Sequence, residues 1–106
     1  MKIKPIKKKQ IKKLSKLHQK VFNASPWNEN WSKDSSLKRL KDIYNTPGFI
    51  GYYIEDEKVI IGGIFGYIES FSSYQSFYLV EMFIHPEKQG RELGHRLFEK
   101  LENTLR

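Results

Sequence analysis

The chain has 106 residues, of which 39% are hydrophobic and 14% aromatic, with a net charge of +7 and no cysteine. That length suits one compact domain able to hide roughly two-thirds of its unfolded surface, and the missing cysteines exclude a disulfide framework, a thiolate metal site and a cysteine nucleophile. No run of about 18 apolar residues suggests a membrane span, and no apolar signal core follows the basic N-terminus, so the expected location is cytoplasmic.

The positive charge is concentrated at one end. Residues 1–20 hold nine lysines and no acid, whereas the rest of the chain holds ten bases and twelve acids. Such a cluster can attract nucleic acid, anionic lipid or an acidic partner. The simpler account is a solvated helix face.

Met1–Ile6 reads as a short first strand ending near Pro5. Ile11, Leu14, Leu17, Val21 and Phe22 then recur at helical spacing with lysines between them. This predicts an amphipathic helix whose apolar stripe needs a sheet to rest on. Asn23–Trp31, with Pro26, several asparagines and two tryptophans, reads as a loop. Ser32 suits the N-cap of a second helix with Asp34 in its first turn. Leu37, Leu40, Ile43 and Tyr44 make the apolar stripe of that helix, and Thr46-Pro47-Gly48 ends it.

Strand signals follow. Phe49–Ile54 is aromatic and β-branched, and Glu55-Asp56-Glu57 is a polar turn. Val59–Ile68 is apolar at odd and even positions alike, as expected for a strand covered on both faces, and Gly62 and Gly63 within it mark a bulge or a close backbone approach. Ser70–Gln75 is a second polar turn, and Phe77–His85 the third strand of the group. A helix from about Gly90 carries Leu93, Leu97, Phe98, Leu101 and Leu105 along one side. The order is β-α-α-β-β-β-α, an α/β chain with a mainly antiparallel sheet, without repeat or linker, and so a single domain over residues 1–106.

The informative segment runs from Glu81 to Gly94. A hydrophobic strand ends at Pro86, a polar loop turns, and an amphipathic helix begins. That arrangement aims free backbone N–H groups and the positive helix end at one point, a ready site for phosphate. Glycines there keep side chains away from an anion and permit unusual dihedrals.

Gln89, Gly90, Arg91, Leu93 and Gly94, placed after the strand Met82-Phe83-Ile84 and a nearby proline, resemble the acetyl-CoA-binding motif of the GNAT family of N-acetyltransferases. That motif has an Arg or Gln, two variable residues, a glycine, one variable residue, then glycine or alanine. The order of a strand, two helices and a three-stranded meander also resembles the family, so the likeness spans essentially the whole chain. It implies acetyl transfer from acetyl-CoA to a primary amine by direct attack, with no metal. The pyrophosphate is then expected on the backbone of Gly90, Arg91, Glu92, Leu93, Gly94 and His95, beside Gln89. The pantetheine arm is expected along Met82, Phe83 and Ile84.

Two departures from the family accompany the likeness. Glu92 stands where the motif has its first glycine, bringing bulk and negative charge beside the expected pyrophosphate, which points to weak cofactor binding and impaired or lost activity. The family fold also continues past the point matched by Arg106, so the chain reads as a short or C-terminally truncated member with an incomplete fold. Glu81, the one acid in an apolar strand, is the candidate general base. Trp27, Glu29 and Trp31 are candidates for an acceptor pocket, since an aromatic face with an acid suits a cationic amine. His18, His85 and His95 lack ligand spacing, and no metal site is expected. The outer edge of Phe77–His85 offers unpaired backbone, from which a homodimer is expected. The alternative reading is a non-enzymatic nucleic-acid-binding module using Lys2–Lys20. It is the weaker one, because the strand-helix-strand-strand-helix-strand order and RNP aromatics of an RNA-binding sheet are missing.

Overall fold

The structure, a computed structural model, describes residues 1–90 and 92–105. Four strands form one antiparallel sheet in the order β1 (Lys2–Pro5), β2 (Phe49–Asp56), β3 (Val59–Ser70), β4 (Gln75–Ile84). Helices α1 (Ile11–Asn23) and α2 (Lys33–Tyr44) cover one face of it, and α3 (Leu93–Thr104) covers the other. The expected α/β architecture and element order are therefore present.

Each helix forms for a local reason. The Gln10 side chain takes the Lys7 backbone N–H at 2.8 Å at the entry to α1. That helix buries Ile11, Leu14, Leu17 and Val21 and leaves its lysines in water, so on this side the lysine cluster is a solvated helix face. Ser32 caps α2: its Oγ accepts from the Ser35 N–H at 3.0 Å, and the Ser35 Oγ accepts from the Ser32 N–H at 2.8 Å. This reciprocal arrangement satisfies two donors that the helix start would otherwise leave open.

Because β3 has helices on both faces, neither parity of its residues can be polar. Phe65 packs toward α1 and α2, and Ile61 and Ile64 pack toward α3. At Gly63 an added Cβ would lie 3.0 Å from the Leu14 side chain. That missing Cβ lets α1 settle onto the strand, the close approach expected from the sequence. The ladder also shifts beside Gly62, where Ile54 pairs with Gly62 but Glu55 pairs with Ile60. Ile61 is the bulged residue.

Several boundaries differ from the sequence reading. The strands extend into their polar turns because the last residues still pair across the ladder, Asp56 with Val59 and Ser70 with Gln75. The last helix begins at Leu93 rather than Gly90. A 3₁₀ turn over Pro86–Lys88 and left-handed backbone at Gly90 and Glu92 precede it. Leu37 and Tyr44 are only half-buried. Phe98 and Leu105, expected on the covered side of α3, are 38% and 40% exposed. Leu93, Leu97 and Leu101 stack at four-residue spacing toward the sheet, which turns Phe98 onto the flank.

The outer edge of β4 has no partner strand among the described residues, and Tyr78, Leu79 and Met82 are exposed along it. The edge singled out by sequence for self-pairing is thus present and unpaired.

The two faces of α3 give a direct check on this architecture. Leu97→Ala is expected to cost about 3 kcal/mol through the cavity it leaves, and Phe98→Ala less than about 1 kcal/mol. Urea denaturation followed by circular dichroism measures both, and equal losses would contradict the packing of α3.

Candidate functional site

Two hollows meet at the end of β4. One, of about 350 Å³, is lined by Ile84, Lys88, Gln89, Gly90, Glu92, Leu93 and Gly94. The other, of about 260 Å³, runs along the strand between Val21, Phe22, Pro26 and Trp27 on one side and Met82, Phe83, Ile84 and Gln89 on the other. Ile84 and Gln89 belong to both, so the hollows are contiguous. The structure therefore gathers most of the residues expected to hold pantetheine and pyrophosphate. Arg91 lies outside the described residues.

At the first turn of α3, Arg96 is the first residue to bond back, its N–H reaching the Glu92 carbonyl at 3.1 Å. Among the described residues, the N–H groups of Leu93 and Gly94 have no such acceptor. Leu93 and Gly94 line the larger hollow. The His95 side chain turns away and lies 3.6 Å from Glu99 on the exposed side of the helix. The Gln89 side chain donates to the Ile84 carbonyl at 3.0 Å, tying the loop to the end of the strand. Glu92 is exposed and sits at φ 60°, the left-handed region. A side chain there costs about 1–2 kcal/mol relative to glycine. The position is therefore one where backbone geometry and anion binding both favour glycine.

Glu81 faces the opposite side of the strand from Met82, and a bulge puts it there. Phe65 pairs with Glu81 but Gly66 pairs with Leu79, which leaves Val80 without a partner. Phe77 and Ile84 both pack on the α3 face although their parity differs, while Val80 and Phe83 pack on the α1–α2 face. The extra residue thus reverses the alternation. Glu81 is delivered to two helices at once. Its Oε2 accepts from Nε2 of His18 in α1 at 3.0 Å and from Nε of Arg39 in α2 at 3.2 Å. The other ring nitrogen of His18, Nδ1, lies 2.9 Å from the Ser36 hydroxyl. Burial raises the Glu81 carboxyl, but the hydrogen bonds from His18 and Arg39 and their charges outweigh it and leave the group below the usual carboxylate range.

The acceptor-pocket candidates are not gathered in one place. Trp27 is 54% exposed and lines the smaller hollow, leaning on Phe22. Glu29 instead accepts the Trp31 indole N–H at 2.7 Å, and the Trp31 ring packs edge-on against His18. Asn23 clamps that end of the loop through both backbone groups of Trp31. The residues that sequence reasoning missed are His18, Ser36 and Arg39. A signal existed: His18 lies on the stripe of Leu14 and Val21, and Ser36 on that of Leu40 and Ile43, so both are polar residues aimed into a core.

The sign of the Glu81 shift sets a pH dependence. A carboxyl lowered by folding adds stability above its unfolded pKa, and that contribution disappears as pH falls through the folded value. Glu81→Gln is expected to cost about 2 kcal/mol at neutral pH, the scale of hydrogen bonds to a charged group. The gap to the wild type should narrow on acidification below the ordinary carboxylate range. Thermal melts from pH 7 to pH 3 check this, and a gap independent of pH would contradict it.

The family model for the acetyltransferase (GNAT) family matches residues 11–106. No curated protein sequence matches the chain. Among solved structures, a GNAT family acetyltransferase from Staphylococcus aureus superposes with a TM-score of 0.75 at 21% identity, over 98% of this chain and 78% of its own. An aminoglycoside N-acetyltransferase in complex with CoA gives 0.69 at 16% identity, over 96% of this chain and 66% of that one. An aminoglycoside 6′-N-acetyltransferase complexed with coenzyme A gives 0.75 at 20%, over 98% and 54% respectively. The chain thus spans between about half and four-fifths of the length of these neighbours. Identities this low speak to fold alone, but the family match covers nearly the whole sequence. This chain belongs to the GNAT family of acetyltransferases.

Proposed function

We propose that the protein uses acetyl-CoA to acetylate a primary amine, within one GNAT domain spanning residues 1–106. The observation that carries this reading is the continuous hollow from the edge of β4 to the start of α3. Alternate residues of an antiparallel strand turn their backbone groups away from the paired side, so the stretch Met82–Ile84 has some free to meet an extended amide-bearing arm. The N–H groups of Leu93 and Gly94, without a partner among the described residues, suit a pyrophosphate. The CoA complexes among the structural neighbours support the same assignment. Trp27, at the mouth of the smaller hollow, offers an apolar wall to the ligand.

Glu81 is the residue assigned to the acceptor. Its lowered carboxyl keeps it ionised, so it attracts an ammonium and takes up a proton directly or through water. The freed amine nitrogen attacks the thioester carbonyl carbon. A C–N bond forms, the C–S bond breaks, and CoA departs as the thiolate, which is then protonated. The attacking nitrogen gives up its second proton, which passes through water to the departing thiolate, and Glu81 returns the first to solvent.

Glu92 opposes the cofactor through its charge and its strained backbone. Calorimetry with acetyl-CoA is expected to show saturable but weak binding, tightened about tenfold in Glu92→Gly, since the loss of one like charge beside the pyrophosphate is worth about 1 kcal/mol or more. Equal affinity in the two proteins would acquit this carboxylate, and no binding in either would end the assignment. For the chemistry, a panel of primary amines with acetyl-CoA and a thiol-detecting reagent reads turnover. Glu81→Gln is expected to lower kcat by about 10²–10⁴-fold with little change in cofactor affinity. An unchanged rate would remove Glu81 from the mechanism.

A further inference from the structure

His18 has no exposed surface. Phe22, Trp31 and Phe83 surround its ring at centroid distances of 4.9, 4.7 and 5.6 Å. These contacts hold the plane of the imidazole, and the hydrogen bonds at its two nitrogens decide what it does. An ionised carboxylate only accepts, so the hydrogen on Nε2 goes to Glu81. In the neutral ring Nδ1 is then the acceptor and the Ser36 hydroxyl donates to it. The order Ser36, His18, Glu81 is that of a nucleophilic triad. Ser36 is nonetheless fully buried, so no acyl group can reach its oxygen. What remains for the chain of hydrogen bonds is orientation.

The two carboxylate oxygens of Glu81 are not equivalent. Oε2 accepts from both His18 and Arg39, whereas no hydrogen bond among the described residues ends on Oε1. No buried side-chain oxygen is left unpaired among them either, so Oε1 is open to solvent. Two donors from two different helices converge on one atom and leave the other free. We propose that His18 is a positioning residue, whose Nε2–H acts with Arg39 to hold Oε2 so that Oε1 is the oxygen Glu81 presents to the acceptor amine. This inference rests on the amine-acetyltransferase reading above. It adds a role for a core residue that touches neither substrate. Glu81 sets the tautomer, the Ser36 hydroxyl completes it by donating to Nδ1, and the ring of aromatics sets the plane.

The test compares the full chain with His18→Leu, which keeps bulk but removes both nitrogens, and His18→Gln, which returns an N–H near the place of Nε2. Three quantities are read: acetyl-CoA affinity by calorimetry, kcat and KM for one acceptor amine over a range of pH, and the Glu81 carboxyl titration by ¹³C NMR of glutamate-labelled protein. In His18→Leu, kcat/KM is expected to fall about 10²-fold, the scale of a catalytic group misplaced by about 1 Å. The Glu81 titration and the acid limb of the pH profile should both move up, because burial then faces one donor fewer. Cofactor affinity should stay as in the wild type. His18→Gln should recover most of the rate and most of the titration shift. A His18→Leu protein with wild-type kcat/KM and an unmoved Glu81 titration would overturn the proposal. Should that variant fail to fold, His18→Phe, which keeps a flat ring without either nitrogen, is read the same way, and an unmoved titration with an unchanged rate there overturns it equally. If the wild type acetylates no amine, the functional reading falls, and the Glu81 titration alone still decides whether His18 positions it.

Discussion

Val80 has no partner in the ladder between β3 and β4, and on that one extra residue depends the face to which Glu81 is turned. With strict alternation Glu81 would share the face of Phe77 and lie under α3. The bulge delivers it instead between α1 and α2, where His18 and Arg39 converge on a single oxygen. A carboxylate moved into an apolar core without such partners would be protonated or expelled. The bulge and the two donors therefore depend on each other. The α1–α2 pair is also tied to the strand that borders the candidate cleft, through an interaction stronger than apolar packing supplies at one point.

The other face of the sheet works differently. Leu93, Leu97 and Leu101 dock α3 on Ile61, Ile64 and Tyr52, and the Tyr52 hydroxyl meets Thr104 near the end of the helix. This attachment is apolar along most of its length and polar at its far end. It fixes where the first turn of α3, with the N–H groups of Leu93 and Gly94, lies relative to Ile84. One face thus sets the position of a carboxylate and the other that of a helix start, with β4 between them. The candidate site is assembled from both layers although its residues are close in sequence.

Much of this was legible from the chain alone. Val59–Ile68, apolar at every position, announced a strand with helices on both sides, and the lysine-flanked stripe from Ile11 to Val21 announced a helix lying on a sheet. Glu81 stood out because an acid in an apolar strand costs too much to be there by accident. Its surroundings were hidden for a physical reason. The bulge at Val80 leaves no mark on hydropathy, since Phe77 to Val80 before Glu81 and Met82 to Ile84 after it are apolar whichever face they take. His18 and Ser36 were legible only as interruptions of apolar stripes, and the pairing of one with Glu81 across 63 positions needs the folded chain. Trp27, Glu29 and Trp31 looked like one group because they are adjacent in sequence. The clamp of Asn23 on Trp31 separates them, drawing Trp31 inward while Trp27 stays at the surface. Phe98 looked buried because hydrophobicity was read without the angular position that α3 takes up on the sheet.

That separation has an optical consequence. The chain's two indoles occupy contrasting surroundings: Trp27 in water at the mouth of the smaller hollow, and Trp31 against an imidazole with its N–H held by Glu29. Indole emission shifts with the polarity around the ring and changes in intensity with the groups packed against it. A molecule entering the hollow would change the colour of Trp27, and a change in the packing around His18 the brightness of Trp31. The two signals differ in kind, so one emission spectrum separates events in the cleft from events in the core without any added label.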